Sequence, residues 1–587
     1  MSEHADRRDG MAVEWDVAVP MDDGLVLRAD VFRPPSEGRY PVLLSYGPYA
    51  KGLPFQVGYA NAWEQMIARH PDVARGSTNK YQAWEVPDPE KWVPDGYVCV
   101  RVDARGWGRS PGFADPFSPR ETRDLYECIE WAGAQPWSNG KVGLSGISYY
   151  AINQWHVAAL QPPHLAAMIP WEGLGDLYRD QNYHGGIRCT SLNTWYGRVV
   201  ASVQHGRGER EPANPHTGVL AMGPDTISDE ELGRSRSDFV AEIRSRPLDG
   251  PFYRQRSADW SRIEVPFLSA GNWGGHGMHL RGNIEGFTHA ASRQKWLEVH
   301  GNAHWAEFYT DYGVGLQKAF FDHFLKGADN GWVGRPAVHL RVRRVDGFVD
   351  RDEGEWPLAR TRWTRLHLAP TLTLDDQPVA KGGTVAYEAS GDGVTFTTVP
   401  FPVETEITGP VMARLFVSSS TNDADLFLVV RVFAPDGGEV VFQGAVDPHT
   451  PVAQGWLRAS HRRLDPGRTT PERPYHCHDR VEPLVPGEVY ETQVEIWPTC
   501  IVVPAGYRLA LTVRGKDYEY PGEPARLSHF HGSEMRGCGI YVHSDPEDRP
   551  PGVFGGTVAL HLGGGHDAYL QLPVVPPRAG ADDGRGA

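Results

Sequence analysis

Residues 141–151 read Lys-Val-Gly-Leu-Ser-Gly-Ile-Ser-Tyr-Tyr-Ala. An apolar run ends near Ser145, Gly146 and Ser148 bracket Ile147, and residues 150–160 carry the spacing of a helix. A strand that turns directly into a helix, with serine at the turn, is the setting a nucleophilic serine requires. The turn lifts the hydroxyl above the sheet, and glycine at 146 permits close backbone approach. The N–H of Tyr149, at the helix start, has no partner within the helix and is free for a developing oxyanion. Tyr150 replaces the second glycine of the generic Gly-x-Ser-x-Gly, and a bare Gly-x-Ser also occurs in turns without chemistry. The flanking sequence has to decide.

That sequence alternates. Residues 40–46, 97–103, 141–145 and 164–170 are apolar strand-like runs, and residues 121–134 and 150–160 are helix-like. The rhythm resumes with strands at 265–270 and 294–300 and a helix at 312–325. Alternation of this kind predicts a mostly parallel sheet covered on both faces. Residues 174–262 interrupt it. They are rich in Arg, Gly, Asn and Asp, with an amphipathic stretch around 228–244, and are expected to form an inserted helical cap. The catalytic domain is thus expected over 1–173 and 263–330. Beyond it, short alternating runs at 338–342, 411–417, 426–433, 490–496 and 508–513 are separated by Pro/Gly turns. They predict an all-β jelly roll over 331–575, with a disordered tail over 576–587.

The 587 residues exceed what one core holds, about 250–300 residues. A formal charge of −16 repels phosphate backbones, so no nucleic-acid partner is expected. No apolar run approaches the roughly 18 residues of a membrane span, and the charged residues 1–11 do not form a signal peptide. The six cysteines are widely spaced without a C-x-x-C, so no disulfide framework is expected, and Cys99 and Cys128 sit in patterns of buried thiols. A cytoplasmic enzyme follows as the expectation, and a homo-oligomer stays open.

The segments around the serine carry a resemblance. Glu121-Thr-Arg-Asp124, Gln135-Pro-Trp-Ser-Asn-Gly-Lys-Val-Gly143 and Gly146-x-Ser148-Tyr149 resemble the cocaine-esterase/X-prolyl dipeptidyl-peptidase family of α/β-hydrolases. So do Gly47-Pro48-Tyr49-x-Lys51 and Asp103-x-Arg-Gly-x-Gly-x-Ser110-x-Gly112. Thr408-Gly-Pro410, Asp423-x-Asp425, Gly455-x-Leu-Arg458 and Pro504-x-Gly506 resemble its C-terminal jelly roll. The resemblance implies Ser148 as nucleophile, with the Tyr149 N–H and the Tyr49 hydroxyl as the oxyanion hole. Ala151 stands where the family usually carries glycine.

The base is expected at His304, in Gly301-Asn-Ala-His-Trp305, just after the 294–300 strand; chain order Ser then His fits the class. His300 reads instead as a buried histidine ending the strand. The acid is the difficulty. The family's Asp would follow the 265–270 strand, but the loop reads Gly271-Asn-Trp-Gly-Gly-His-Gly277, with Gly275 at the acid's place. A relocated carboxylate is expected: Glu172, after the 164–170 strand, ahead of Glu285 and then Asp176, with an acid-less dyad also open. Gly275 would leave room for the longer glutamate. Trp171 and Trp273 are candidate pocket residues. The His476-Cys-His-Asp479 tract lacks a second ligand pair at usable spacing, so neither metal nor cofactor is expected.

The expected reaction is acyl transfer to Ser148 and then to water. The substrate is an ester or amide of a small aromatic or apolar acyl group. An X-prolyl dipeptidyl peptidase, an α-amino acid ester hydrolase or an acyltransferase is the alternative; for an α-amine, Glu172 and Asp176 would then be the recognising carboxylates. A catalytically weak binding protein on a hydrolase scaffold is the alternative of another class.

Overall fold

The computed structural model describes residues 6–525 and 534–577. The part of the sheet that carries the site runs through β1 (Met11–Pro20), β2 (Val26–Arg33), β3 (Tyr40–Gly47), β4 (Val98–Asp103), β5 (Ser138–Ile147), β6 (Leu165–Trp171), β7 (Phe267–Asn272), β8 (Lys295–His300) and β9 (Val338–Arg344). Their order is β1-β2-β4-β3-β5-β6-β7-β8-β9. β2 runs antiparallel to its neighbours, and every pair from β4 to β9 is parallel. Parallel neighbours need crossovers that cover both faces, which is why β4 is buried at all six positions. The main helices are α1 (Pro119–Gly133), α2 (Tyr149–Ala158), α3 (Leu280–His289) and α4 (Asp311–Lys326). The Ser118 hydroxyl caps α1 by accepting the Glu121 N–H, and α4 starts on Thr310 and stops at left-handed Gly327.

The expected strands and helices are all present, with shifted ends. β5 is longer than its apolar run, because its polar start still pairs with β3, Tyr40 against Ser138. Residues 174–262 fold differently from the expected helical insertion. Their α-helices are four to six residues long, mixed with 3₁₀ and π turns and a hairpin of Tyr183–His184 with Ile187–Arg188. The amphipathic stretch splits into Asp229–Arg234 and Phe239–Arg244, capped by Ser228 and Asp238. Between them the backbone pairs with Ala114, which donates to Ser235 and accepts from Ser237, so the helix cannot continue.

The 338–342 run, expected as a jelly-roll strand, is instead β9, which pairs parallel with β8 and extends the first sheet; after it the chain is mostly β-structure. Thr405–Ser419 pairs antiparallel with Tyr490–Val503 and Tyr569–Val575, and Asp425–Phe433 pairs antiparallel with Ala453–Arg458 and Arg508–Arg514. Alternate residues of these strands share an apolar core separate from that of the first domain. A third apolar cluster joins the two: Trp273, Leu280 and Val299 pack with Phe427, Trp456 and Trp497. The cysteines are free thiols, and Cys99 and Cys128 are buried as expected. Among the described residues no helix is long and apolar enough to cross a membrane. Residues 578–587, most of the expected tail, lie outside the described residues.

Candidate active site

Ser148 sits between β5 and α2 with φ 58° and ψ −114°, a conformation costly for a residue with a Cβ. Its surroundings hold it there. The Ser148 N–H donates to the Trp171 carbonyl (3.1 Å), and the Ile147 N–H donates to the Glu85 carbonyl (3.0 Å). Gly146 has φ 147°, and a Cβ there would lie 2.5 Å from the Tyr150 Cβ. Tyr150, which departs from the generic motif, and Ala151, which departs from the family pattern, are accommodated by glycines elsewhere. Gly47 leaves room for the Tyr150 ring, and Gly173 leaves room for Ala151. Glu85 (φ 61°) and Glu172 (φ 50°) also hold left-handed backbone. Three residues of one cluster thus hold strained backbone.

His304 and Glu172 are brought together. Nδ1 of His304 lies 2.7 Å from Glu172 Oε2. The other oxygen of Glu172 takes His300 Nε2 at 3.1 Å and the Asn272 side-chain N–H at 3.2 Å. His300 also contacts Glu298 at 2.7 Å, so the strand-end histidine is a member of the network. Glu172 is fully buried, which alone would raise its carboxyl; the two histidines outweigh burial and hold it far below the usual range. Burial presses the His304 ring down, but the Glu172 charge and the hydrogen bonds its N–H groups donate to Glu172 and Glu85 carry it up to about 10.

Two residues of the cluster were not anticipated from the sequence. Glu85, in the loop before β4, places Oε1 3.1 Å from His304 Nε2. His304 is thus held between two carboxylates. Burial raises the Glu85 carboxyl, opposed by its contact with His304. The second is His279, whose Nε2 lies 3.2 Å from Ser148 Oγ. The Leu174 N–H donates to His279 Nδ1 (3.1 Å). With Nδ1 accepting, neutral His279 carries its proton on Nε2 and donates to the serine. Burial, then the His304 charge, hold His279 well below the ordinary histidine range. Its ring stacks on His304, with centroids 5.2 Å apart and planes at 10°. His279 stood in view within the glycine-rich loop after β7, but one of 24 histidines carries little signal alone. Glu85 had none, since its partner lies 219 residues away.

Ser148, Glu85, His279 and His304 line a pocket of about 490 Å³ with Tyr49 and Trp195. Trp195 Nε1–H donates to the Tyr49 hydroxyl oxygen (3.2 Å), leaving the Tyr49 O–H to donate elsewhere. Burial, then the nearby Glu85, push the Tyr49 phenol well up, so it keeps its proton. The Tyr149 hydroxyl is bound by Glu121 at 2.7 Å, which anchors the first turn of α2. The second domain completes the wall with Val446, Ile540 and Tyr541. It also holds the histidine loop: the His304 N–H donates to the Ala445 carbonyl (2.9 Å), and the Ala445 N–H to that of Gly274 (3.1 Å).

Several expectations are corrected. Glu285 lies in an ion pair with Arg473 and does not contact His304. Asp176 is engaged by Arg179 at 2.8 Å, and Glu172 by the histidines, so neither is open to a substrate amine. Trp171 packs on His300 and Phe308, and Trp273 on Trp356 with its N–H on the Arg341 carbonyl; neither lines the pocket. The tyrosines and tryptophans of the pocket are Tyr49, Tyr59, Trp84, Trp195 and Tyr541. A Cβ on Gly275 would meet Asn272 and Leu280, so that glycine is not what makes room for Glu172. In the His476 tract, His478 contacts His461 Nδ1 to Nδ1 at 3.0 Å and lies against Tyr178.

A parallel sheet in this order, with serine at a strained strand-to-helix turn and a carboxylate-bound histidine beside it, defines a serine hydrolase of the α/β-hydrolase class. Comparison with known proteins agrees. Residues 23–306 match the X-Pro dipeptidyl-peptidase (S15) family, and residues 330–571 match the X-Pro dipeptidyl-peptidase C-terminal non-catalytic domain. A CocE/NonD family hydrolase of Staphylococcus aureus is 33% identical, with a TM-score of 0.82 over 96% of this chain and 94% of that one. Cocaine esterase of a Rhodococcus species is 25% identical over 96% of this chain and 99% of its own. An α-amino acid ester hydrolase shares the fold at 15% identity, with a TM-score of 0.65 over 96% of this chain and 97% of that one. The chain belongs to the CocE/NonD family of hydrolases. It is a serine hydrolase of ester or amide substrates.

Proposed function

We propose that the protein hydrolyses esters or amides of small apolar or aromatic acyl groups through an acyl-enzyme on Ser148. His304 is the base, Glu172 its acid, and the Tyr49 hydroxyl with the Tyr149 N–H the oxyanion hole. The observation that carries this reading is the His304–Glu172 contact of 2.7 Å at the wall of the pocket that Ser148 lines. Of the two histidines near the serine, only His304 has a carboxylate behind it. That partner fixes the tautomer and stabilises the imidazolium formed in the transition state. His279 has its one lone pair occupied by Leu174 and so cannot take the serine's proton.

In the resting arrangement His304 Nε2 faces Glu85, while Ser148 donates to no base. Acylation requires the proton on Nε2 to leave and the serine hydroxyl to turn from His279 toward His304. Ser148 then attacks the carbonyl carbon, its proton passes to His304, and the oxyanion is met by Tyr49 and Tyr149. The same proton goes to the leaving alcohol or amine, and water repeats the sequence in reverse. The short helices of residues 174–262 act as the cap over this pocket and the C-terminal jelly roll as its far wall. The free thiols fit a cytoplasmic location.

One observation favours a second reading. Glu85 is a pocket-lining carboxylate, which suits an α-ammonium group on the substrate and so an α-amino acyl ester or X-prolyl amide. A fluorophosphonate probe and a paired substrate panel test both. The first reading expects labelling of the wild type, none of Ser148→Ala, and higher kcat/KM on small acyl esters than on their α-amino counterparts. The reverse preference would select the second reading. An unlabelled wild type would refute both.

A further inference from the structure

Behind the pocket wall, the segment after β6 meets the second domain through three buried donor groups: His184, Cys189 and His543. Their donor atoms all lie within 4.8 Å of one another. The hydrogen bonds on the outer side of each ring fix where its lone pair points. His543 Nδ1 lies 2.7 Å from Asp517 Oδ1, and the other oxygen of Asp517 accepts the His543 backbone N–H at 2.6 Å. In the neutral ring the Nδ1 proton is therefore held outward and the Nε2 lone pair faces inward. His184 Nε2 lies 3.2 Å from the Asp180 carbonyl, which can only accept, so its proton sits on Nε2 and its Nδ1 lone pair faces inward. These two inward nitrogens are 2.9 Å apart. Two lone pairs at that distance repel unless a proton bridges them or a metal ion sits to one side within reach of both.

The third donor decides which cation. Cys189 Sγ completes a soft, mixed sulfur and nitrogen set, and Ser191 Oγ lies 3.4 Å from it, able to donate to a thiolate. Each donor thus has an outer partner of the kind that orients metal ligands: a carboxylate, a carbonyl and a hydroxyl. We propose that His184 Nδ1, His543 Nε2 and Cys189 Sγ bind one Zn²⁺-like cation. Thiolate and imidazole donors suit zinc rather than magnesium or calcium. Binding releases the thiol proton to solvent and involves no redox step; a water or carbonyl oxygen fills the fourth position.

The site would act as a clamp. The Thr190 N–H already donates to the Val542 carbonyl (2.8 Å). Ser191 and Tyr541, each within two residues of a donor, line the catalytic pocket. A metal here would fix the seam between the two segments that form that wall, with Trp456 covering His184 at 4.8 Å between ring centroids.

The test uses the full-length chain purified without chelators. Elemental analysis is expected to give about one zinc per chain. After exchange, Co²⁺ is expected to show a near-ultraviolet thiolate charge-transfer band, lost in Cys189→Ser and kept in Cys477→Ser. Asp517→Asn keeps all three donors and is expected to weaken the metal about 10–100-fold, which covers the case of a Cys189 variant that does not fold. Zinc-free wild type whose melting temperature does not rise with added Zn²⁺ would overturn the proposal and leave a proton bridging the two rings. A cobalt band that survives Cys189→Ser, or disappears in Cys477→Ser, would also overturn it.

Discussion

Replacing Glu85 by glutamine should make the enzyme a better catalyst of neutral esters at neutral pH. His304 contacts carboxylates at 2.7 Å and 3.1 Å, and together they hold its ring up at about 10. A base with so high a value keeps its proton at pH 7, so kcat/KM of the wild type should rise with pH through the alkaline range. An opposite charge at this separation shifts a pKa by about 1–3 units. Glutamine preserves the shape and removes the charge, so the acid limb of the pH profile should move down by about 1–3 units. Below that limb, each unit is about a tenfold gain in the neutral fraction, or about 1.4 kcal/mol. At pH 7 the gain in kcat/KM should therefore be roughly 10- to 1000-fold, with the alkaline plateau little changed. The assay is kcat/KM for a neutral nitrophenyl ester from pH 5 to 10, since an amino ester would mix this effect with any ammonium binding. A limb that stays in place, or moves to higher pH, would show that Glu85 does not set the protonation of the base.

Other substitutions separate the roles of the cluster. Glu172→Gln should lose up to about 10⁴-fold in kcat while Ser148 still reacts slowly with a fluorophosphonate; activity near wild type would remove Glu172 from the proposed triad. His279→Asn should cost only about tenfold, the worth of one hydrogen bond, and a loss equal to that of His304→Asn would mean the base is misassigned. Tyr49→Phe should cost about 10²–10³-fold in kcat with little change in KM. The raised His300 and His304, both at about 10, make a stability contribution that is complete below their ordinary value of 6.5 and fades as pH rises toward 10. The melting temperature should fall across that window, and Glu172→Gln should flatten the slope.

The sequence determined what is local. The parallel sheet follows from apolar runs spaced by helical segments, and Ser148 from a glycine-tight turn between a strand and a helix. Both are written within about ten consecutive residues, where periodicity and backbone sterics act directly. The contact of His304 with Glu172 was legible one step further out, because parallel strands deliver their C-terminal loops to a single edge of the sheet. Glu172 could be chosen over Glu285 only as the loop nearer the serine; the Arg473 ion pair that removes Glu285 crosses from the second domain. The tertiary structure alone decided the rest. Nothing local marks Glu85, which reaches His304 across 219 residues, or assigns the serine's resting contact to His279 rather than His304. The amphipathic stretch at 228–244 gives a helical period, yet backbone pairing with Ala114 breaks it in two. His476-Cys-His attracted attention as a tract, while His184, Cys189 and His543 meet only when two domains close. Hydrogen-bond complementarity between distant segments is a property of the packed chain. Periodicity along one segment reports which face is buried, and not which polar atom it will find there.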